Sequence, residues 1–199
     1  MNYDGGIMLE LLIIVAILII DLVSKHIAAA WLPTLPGGSF PLIDGVFELS
    51  YVENRGAAFG MLQNARWFFL VLTVIALAVL GWFLIRYRSK MHVRVRIAIA
   101  LIITGAVGNF VDRLFFGYVR DMFYFSLINF AVFNVADAAI TVGGIGLVVD
   151  SAFTKKGHEF IKLVDALLEK KPSAEDKKAV CGETGEENEP ESAECEGKQ

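Results

Sequence analysis

The sequence predicts an all-α membrane protein: a bundle of four transmembrane helices with a small β-rich extramembrane cradle on the outer face. Hydrophobic residues make up 55% of the 199 residues, more than an ordinary soluble domain of this size contains. Four apolar runs are each long enough to cross a bilayer as a helix, which takes about 20 residues. Lys and Arg cluster after the second and fourth runs, so both termini are expected in the cytoplasm.

The first apolar run is interpreted as a retained span rather than a cleaved signal peptide. Residues 28–30 are three alanines that resemble a cleavage site, but no Lys or Arg precedes the run. Glu10 and Asp21 also interrupt it, which is not typical of a signal peptide. The four spans are predicted at about residues 7–30, 67–85, 97–116 and 132–150.

The segment between the first two spans has a different character. Pro33, Pro36 and Gly37 break the first helix. Residues 39–60 that follow are rich in β-forming residues with partial apolar alternation. They end in Asn-Arg-Gly-Ala-Ala-Phe-Gly at 54–60, where small residues allow close backbone approach. A small sheet followed by a turn at the membrane surface is therefore predicted.

The loop after the second span is short and strongly basic. Its five basic residues are Arg86, Arg88, Lys90, Arg94 and Arg96. Such a loop is typical of the cytoplasmic side of a membrane. A nucleic-acid-binding patch is a poor alternative for a loop that joins two spans, so no nucleic-acid partner is expected. Lysines beyond the fourth span place the C-terminal flank on the same side.

The chain after the four-span domain (residues 1–155) divides into two segments. Residues 156–171 carry apolar side chains at helical spacing, which predicts an amphipathic helix on the cytoplasmic membrane surface or against a partner. Residues 172–199 are rich in Glu and poor in apolar residues, so this acidic tail is predicted to be disordered. Cys181 and Cys195 lack partners at metal-ligand spacing, so free thiols are expected there.

Two acidic residues are candidates for catalysis. Asp137 lies in the fourth span, and Asp121 follows the third. A carboxylate inside a membrane costs about 3 kcal/mol or more and marks a functional site by default. No Ser–His or Cys–His set accompanies them, so the pair suggests aspartic-type activation of water. The alternative is that each is ion-paired to Arg113 or Lys25 in a structural network.

Further polar residues fall at the same outer level of the predicted bundle. They are Asp21, Lys25, Asn54, Asn109, Asp112, Arg113 and Asn134. Asp21 and Lys25 are four residues apart on one helix face and are expected to form a structural pair. Asp112 is expected to be structural, as a partner of Arg113 or of a neighbouring backbone. The sequence has no metal-ligand cluster, phosphate loop or nucleotide motif, so no cofactor or metal is expected.

Five short segments form a specific pattern within about residues 9–150. They are DLVSK at 21–25, NRGAAFG at 54–60, GNFVDRL at 108–114, VRDMF at 119–123 and FNVADAAI at 133–140. In this order and at these depths they resemble the bacterial lipoprotein signal peptidases, the signal peptidase II family. The resemblance implies a four-helix aspartic endopeptidase of the bacterial inner membrane with its active site near the outer face. Family members remove signal peptides from prolipoproteins, cutting before a cysteine that carries diacylglycerol.

The resemblance also implies roles for individual residues. The catalytic pair would be Asp121 and Asp137, and four residues match the positions that bind or orient substrate: Asn54, Asn109, Arg113 and Asn134. Two positions depart from the family pattern, with Arg120 where an apolar residue is common and Ala138 in place of a Ser. A cation at 120 is expected to favour the ionised form of Asp121. The implied partners are a diacylglyceryl-modified prolipoprotein and membrane lipids, and a monomer is expected.

Two other classes of function compete with a peptidase. A transporter could use Asp21, Asp112 and Asp137 as a proton relay, but a relay needs acids across the membrane depth. These acids cluster at one end of the spans. A non-catalytic assembly protein would tolerate Asp→Asn changes at 121 and 137.

Overall fold

The computed structural model describes residues 4–57 and 61–168. Within them, four helices are long and apolar enough to cross a membrane: α1 (Asp4–Trp31), α2 (Arg66–Tyr87), α3 (Val93–Phe115) and α4 (Val135–Phe153). The other elements are α5 (Lys155–Leu168) and the strands β1 (Ser39–Ile43), β2 (Phe47–Asn54) and β3 (Val119–Tyr124). The helices and the small sheet confirm the predicted fold class. The predicted acidic tail, with its two cysteines, lies outside the described residues.

Helix α3 is the central helix of the bundle and packs most extensively against α4. Half of its most apolar stretch is buried, against 6% of the corresponding stretch in α2. Glycines allow the close approach of α3 and α4. A Cβ at Gly105 would collide with the carbonyl oxygen of Ala136, and one at Gly143 would lie 2.6 Å from that of Ala98. Small residues at such contacts let membrane helices pack backbone to backbone, which brings side chains near Gly105 within reach of α4.

The sheet lies at one end of the bundle, here called the sheet end. Its order is β1-β2-β3 and both pairings are antiparallel. Strand β3 was not predicted, because its six residues include two charges and it forms through pairing with distant β2. That register aligns Asn54 with Val119 and Val52 with Asp121. A further bridge joins Phe123 to Phe133, just before α4, so the sheet holds β3 beside the start of that helix.

The opposite end of the bundle is held by ion pairs. Helix α3 begins at Val93, so Arg94 and Arg96 belong to the helix rather than to the loop before it. Arg94 Nε lies 2.6 Å from Asp150 Oδ1 on α4, and Arg96 Nε lies 3.0 Å from Glu10 Oε1 on α1. Pairing of this kind lowers the cost of placing charges at a membrane edge. These two ion pairs connect α3 to α4 and to α1 at this end of the bundle.

Candidate active site

The first turn of α4 fixes two of the predicted site residues. Asn134 precedes the helix and its side-chain oxygen accepts a hydrogen bond from the Asp137 N–H at 2.9 Å. In return, Asp137 Oδ2 accepts one from the Asn134 N–H at 3.2 Å. This reciprocal capping box needs polar residues three positions apart, as in the sequence Asn-Val-Ala-Asp. The Asp137 carboxyl is therefore held at the helix start.

Asp121 on β3 is reached by amides from two other elements. Its Oδ2 accepts a hydrogen bond from Asn54 Nδ2 of β2 at 3.0 Å, and its Oδ1 accepts one from Asn134 Nδ2 at 2.6 Å. The side chain is 1% exposed. The strand pairing described above positions Asn54 for this contact.

Asn109 on α3 connects the two carboxyl groups. Its Nδ2 donates to Asp137 Oδ1 at 2.7 Å, and its Oδ1 accepts from Asn134 Nδ2 at 3.1 Å. Because Asn134 also donates to Asp121, two amides form a continuous bridge from one carboxyl to the other. Lys25 Nζ donates to the same Asn109 oxygen at 3.1 Å, which keeps the amide nitrogen directed at Asp137.

The environment of Asp121 changes its acidity. Burial raises the pKa of this carboxyl to about 7, and the nearby charge of Asp137 acts in the same direction. The hydrogen bonds from Asn54 and Asn134 oppose the rise but do not cancel it. Asp121 is therefore an acid that exchanges its proton near neutral pH, as general acid–base catalysis requires.

Arg113 lies beside the aspartates without bonding to either. Its Nη2 donates to the Gly56 carbonyl oxygen at 2.9 Å, and its guanidinium carbon lies 4.7 Å from the centre of the Phe69 ring. In the described part of the chain, no ion pair joins Arg113 to Asp121 or Asp137. The alternative in which Arg113 neutralises these acids is therefore not the arrangement found.

A buried ionic network lies behind these amides. Lys25 has no exposed surface, and its Nζ lies 2.8 Å from Asp21 and 3.5 Å from Asp112. Asp21 Oδ1 also accepts a hydrogen bond from the backbone N–H of Ala136 at 2.9 Å. The network joins α1, α3 and α4, as expected for a structural Asp21–Lys25 pair.

The predicted surroundings of Arg120 and Asp112 need correction. Arg120 Nη2 lies 2.6 Å from Asp112, the Arg120 N–H donates to the same carboxylate, and the guanidinium lies 4.4 Å from the Phe116 ring. Asp112 thus pairs with Arg120 and Lys25 rather than with Arg113, whereas the other expected partner, a neighbouring backbone, is found in the Arg120 N–H. The expectation that the Arg120 cation favours the ionised form of Asp121 is also wrong. Successive residues of a strand point to opposite faces of the sheet, so these two side chains point away from each other.

Two cavities meet at the site. The larger, of about 590 Å³, is lined by Asp137, Asn109 and Arg113 and otherwise mainly by apolar side chains, including Phe133 and Ile140. Most of this apolar wall was not predicted from the sequence. Its signal was the spacing of Asp137, Ile140 and Thr141, which is that of one helix face.

The smaller cavity, of about 250 Å³, has Asp121 in its wall and lies among polar residues of the sheet end. Asn54, Ala131 and Val132 line both cavities. In the described residues, no group of three or more His, Cys, Asp or Glu side chains is arranged to hold a metal ion.

The fold and the site together define a class of protein: a multi-pass membrane protein with two linked carboxyls, one buried and one half-buried, at one end of its bundle. The family model described as signal peptidase (SPase) II matches residues 13–153. The lipoprotein signal peptidase of Lactiplantibacillus plantarum is 42% identical over 149 residues, which are 73% of this chain and 97% of that protein. The one from Clostridioides difficile is 42% identical over 144 residues, covering 71% and 93%.

Solved structures give a consistent result. Two bacterial membrane enzymes solved by the in meso method superpose on the chain, each with a TM-score of 0.64, at 31% and 32% identity. The matches cover 86% and 76% of this chain and 94% and 95% of those enzymes. The chain belongs to the signal peptidase II family, and it is therefore a membrane peptidase that removes signal peptides.

Proposed function

We propose that this protein is an aspartic endopeptidase that cleaves prolipoproteins immediately before the diacylglyceryl-modified cysteine. The observation that carries the proposal is a pair of carboxyls, the buried Asp121 and the half-buried Asp137, joined by the amides of Asn109 and Asn134. Family membership supplies the substrate class, because the relatives are lipoprotein signal peptidases. No cofactor enters the reaction.

The two carboxyls have different roles in this mechanism. Asp137, which accepts hydrogen bonds from Asn109 and the Asn134 N–H, is the base and takes a proton from water. The water oxygen bonds to the scissile carbonyl carbon, and Asp121 gives its proton to the carbonyl oxygen. In the second step, Asp137 passes its proton to the leaving nitrogen as the C–N bond breaks. A hydroxyl of the tetrahedral intermediate returns a proton to Asp121, which restores the starting state.

The surrounding polar groups orient this reaction. Asn134 uses both hydrogens of its amide, for Asn109 and for Asp121, so the position of the acid is fixed relative to α4. Arg113 lines the larger cavity beside Asp137, and a guanidinium has five N–H donors of which Gly56 takes one. The others bind backbone carbonyls of the substrate. Asn54 holds Asp121 from the β2 side.

The larger cavity accepts the signal peptide. Its walls from α4 and the aromatic segment before it are mainly apolar, which suits an apolar helix entering from the bilayer. The acyl chains on the substrate cysteine stay in the lipid, so lateral diffusion delivers the scissile bond to the site. The basic ends of α2 and α3 lie opposite the sheet end and belong in the cytoplasm. The active site then lies near the outer face of a bacterial inner membrane, both termini are cytoplasmic, and the protein acts as a monomer.

A proton relay across the membrane is not supported. The buried acids at the far end of the bundle, Glu10 and Asp150, are paired with Arg96 and Arg94. A relay would need a chain of acids across the membrane depth, whereas these two acids are engaged in ion pairs at one edge. A non-catalytic assembly protein would tolerate Asp→Asn changes at 121 and 137, which the cleavage test compares directly.

The direct test is cleavage of a diacylglyceryl-modified prolipoprotein by the purified full chain in detergent. Asp121→Asn and Asp137→Asn should each lower kcat by about a hundredfold or more, since positioned acid–base groups contribute roughly 10²–10⁴. The exposed Asp44→Asn, in the turn between β1 and β2, is the matched control and should cleave like the wild type. Substantial activity in both site variants would contradict the proposed dyad. A folded wild type that never cleaves this substrate would contradict the proposed specificity.

A further inference from the structure

The two cavities at the site differ in character, and each contains one member of the proposed dyad. Asp137 lines the larger cavity, whereas Asp121 lines the smaller one. Asn54, Ala131 and Val132 line both and form the divide between them. A peptide whose scissile bond lies between Asp121 and Asp137 must therefore cross this divide, with one flank in each cavity.

The chemistry of the walls assigns the flanks. The larger cavity is bounded by aromatic and branched aliphatic side chains of α4 and the segment before it. The smaller cavity carries Glu53, Arg55 and Gln63, which are side chains that suit a hydrated polar chain. Glu53 and Arg55 form an ion pair of 3.1 Å with both side chains about half exposed. Val52, Ala131 and Val132 complete the wall of the smaller cavity, but the larger cavity is the more apolar of the two and suits an apolar signal helix better.

We propose that the smaller cavity is the subsite for the polar residues that follow the lipidated cysteine, and that Arg55 and Glu53 read their charge. This inference rests on the proposed function, because it needs a cleaved bond before a lipidated cysteine. The acyl chains leave sideways into lipid, and the polypeptide continues past Asp121 along the end of β2 toward water. The occupant is thus a short polar stretch of the mature lipoprotein, starting at the second residue after the cut.

Charge reversal at the rim tests this assignment. The substrates are three diacylglyceryl-modified prolipoprotein peptides that differ only in the residue after the lipidated cysteine, which is Asp, Ser or Lys. Arg55→Glu should lower the ratio of kcat/KM for the Asp substrate to that for the Lys substrate. Exposed charge contacts are individually weak, so reversing one should change this ratio by roughly three- to tenfold.

Two further variants sharpen the comparison. Glu53→Arg should move the same ratio in the opposite direction, because it adds a cation where an anion lay. Asp44→Arg reverses a charge at the other end of β2, beyond Phe47, and should leave the ratio unchanged. If wild type cleaves all three substrates and neither rim variant changes the ratio, the subsite is wrong while the proposed function stands. If the wild type cleaves none of them, both proposals fail.

A cross-linking experiment tests the same subsite assignment without substrate cleavage. The inactive Asp137→Asn protein is incubated with a substrate that carries a photoreactive benzophenone side chain after the lipidated cysteine. Cross-links are expected within residues 52–55 of the β2 end. Cross-links confined to the apolar wall around Ile140 and Val142 would overturn the assignment, because that wall belongs to the larger cavity.

Discussion

Replacing Arg120 with Met should destabilise the bundle while leaving the acidity of the site unchanged. The Arg120 guanidinium donates hydrogen bonds to the buried Asp112 carboxylate, with three donor–acceptor distances of 2.6, 3.2 and 3.3 Å. Removing one partner of a buried ion pair costs about 3–5 kcal/mol when the remaining charge is left alone. Here Lys25 stays 3.5 Å from Asp112, and the backbone N–H of residue 120 still donates to it. The expected loss in the free energy of unfolding is therefore lower, about 2–3 kcal/mol.

Thermal unfolding of the purified protein in detergent measures this loss. For a chain of this size it corresponds to a fall in Tm of roughly 5–10 °C. Arg120→Lys keeps the charge but not the planar fork, so its Tm should lie between the wild type and Arg120→Met. Arg55→Met is the matched exposed control and should change the stability by less than about 1 kcal/mol.

The pH dependence of cleavage separates this explanation from the one that sequence suggested. If Arg120 acted on Asp121, its loss would raise the apparent pKa of the alkaline limb by about one unit or more. Since Arg120 faces Asp112 instead, the midpoint should stay within about 0.3 unit of wild type. A large upward shift, or an unchanged Tm in Arg120→Met, would refute the reasoning.

Three other predictions follow from the site and the helix packing. Because the pKa of Asp121 is raised to about 7, kcat/KM should fall above neutral pH with an apparent pKa near 7, measured with the lipidated substrate across pH 5–9. The same shift means that folding takes up a proton between the ordinary pKa of 3.8 and about 7, so this carboxyl makes the protein less stable as pH rises through that range. Asp121→Asn should remove that contribution, and wild type should lose more Tm than the variant between pH 5 and pH 8. Gly105→Leu should separate α3 from α4, because a Cβ at this position meets the Ala136 carbonyl, and both Tm and the rate of cleavage should fall. The control is Gly81→Leu on α2, where nothing lies within 4 Å of the added Cβ, and it should keep the wild-type Tm and rate.

Sequence predicts well the features that depend on local spacing. The four spans follow from apolar run length. The capping box between Asn134 and Asp137 was not predicted, but it too depends on a local spacing of three residues. The Asp21–Lys25 pair, four residues apart, was predicted from its spacing. Each of these contacts forms within one helix, where the positions of side chains are set by the helical repeat.

Contacts between distant segments were harder to predict. Strand β3 exists because β2 pairs with it across more than sixty residues, and its sequence Val-Arg-Asp-Met-Phe-Tyr has no clean alternation. Without that strand, the opposite directions of Arg120 and Asp121 could not be inferred. The bridge from Asn109 through Asn134 depends in turn on glycine contacts between α3 and α4. These features require tertiary packing that no local pattern encodes.

The ion pairing of α1 has a consequence for how the protein enters the membrane during synthesis. Helix α1 reaches the bilayer before α3 and β3 have been made, so neither Asp112 nor Arg120 is yet there to meet its charges. Asp21 and Lys25 lie 2.8 Å apart on one helical face, so α1 brings its own counter-ion and arrives electrically neutral at its polar end. This end of α1 can thus enter the membrane without waiting for an ion from a later helix.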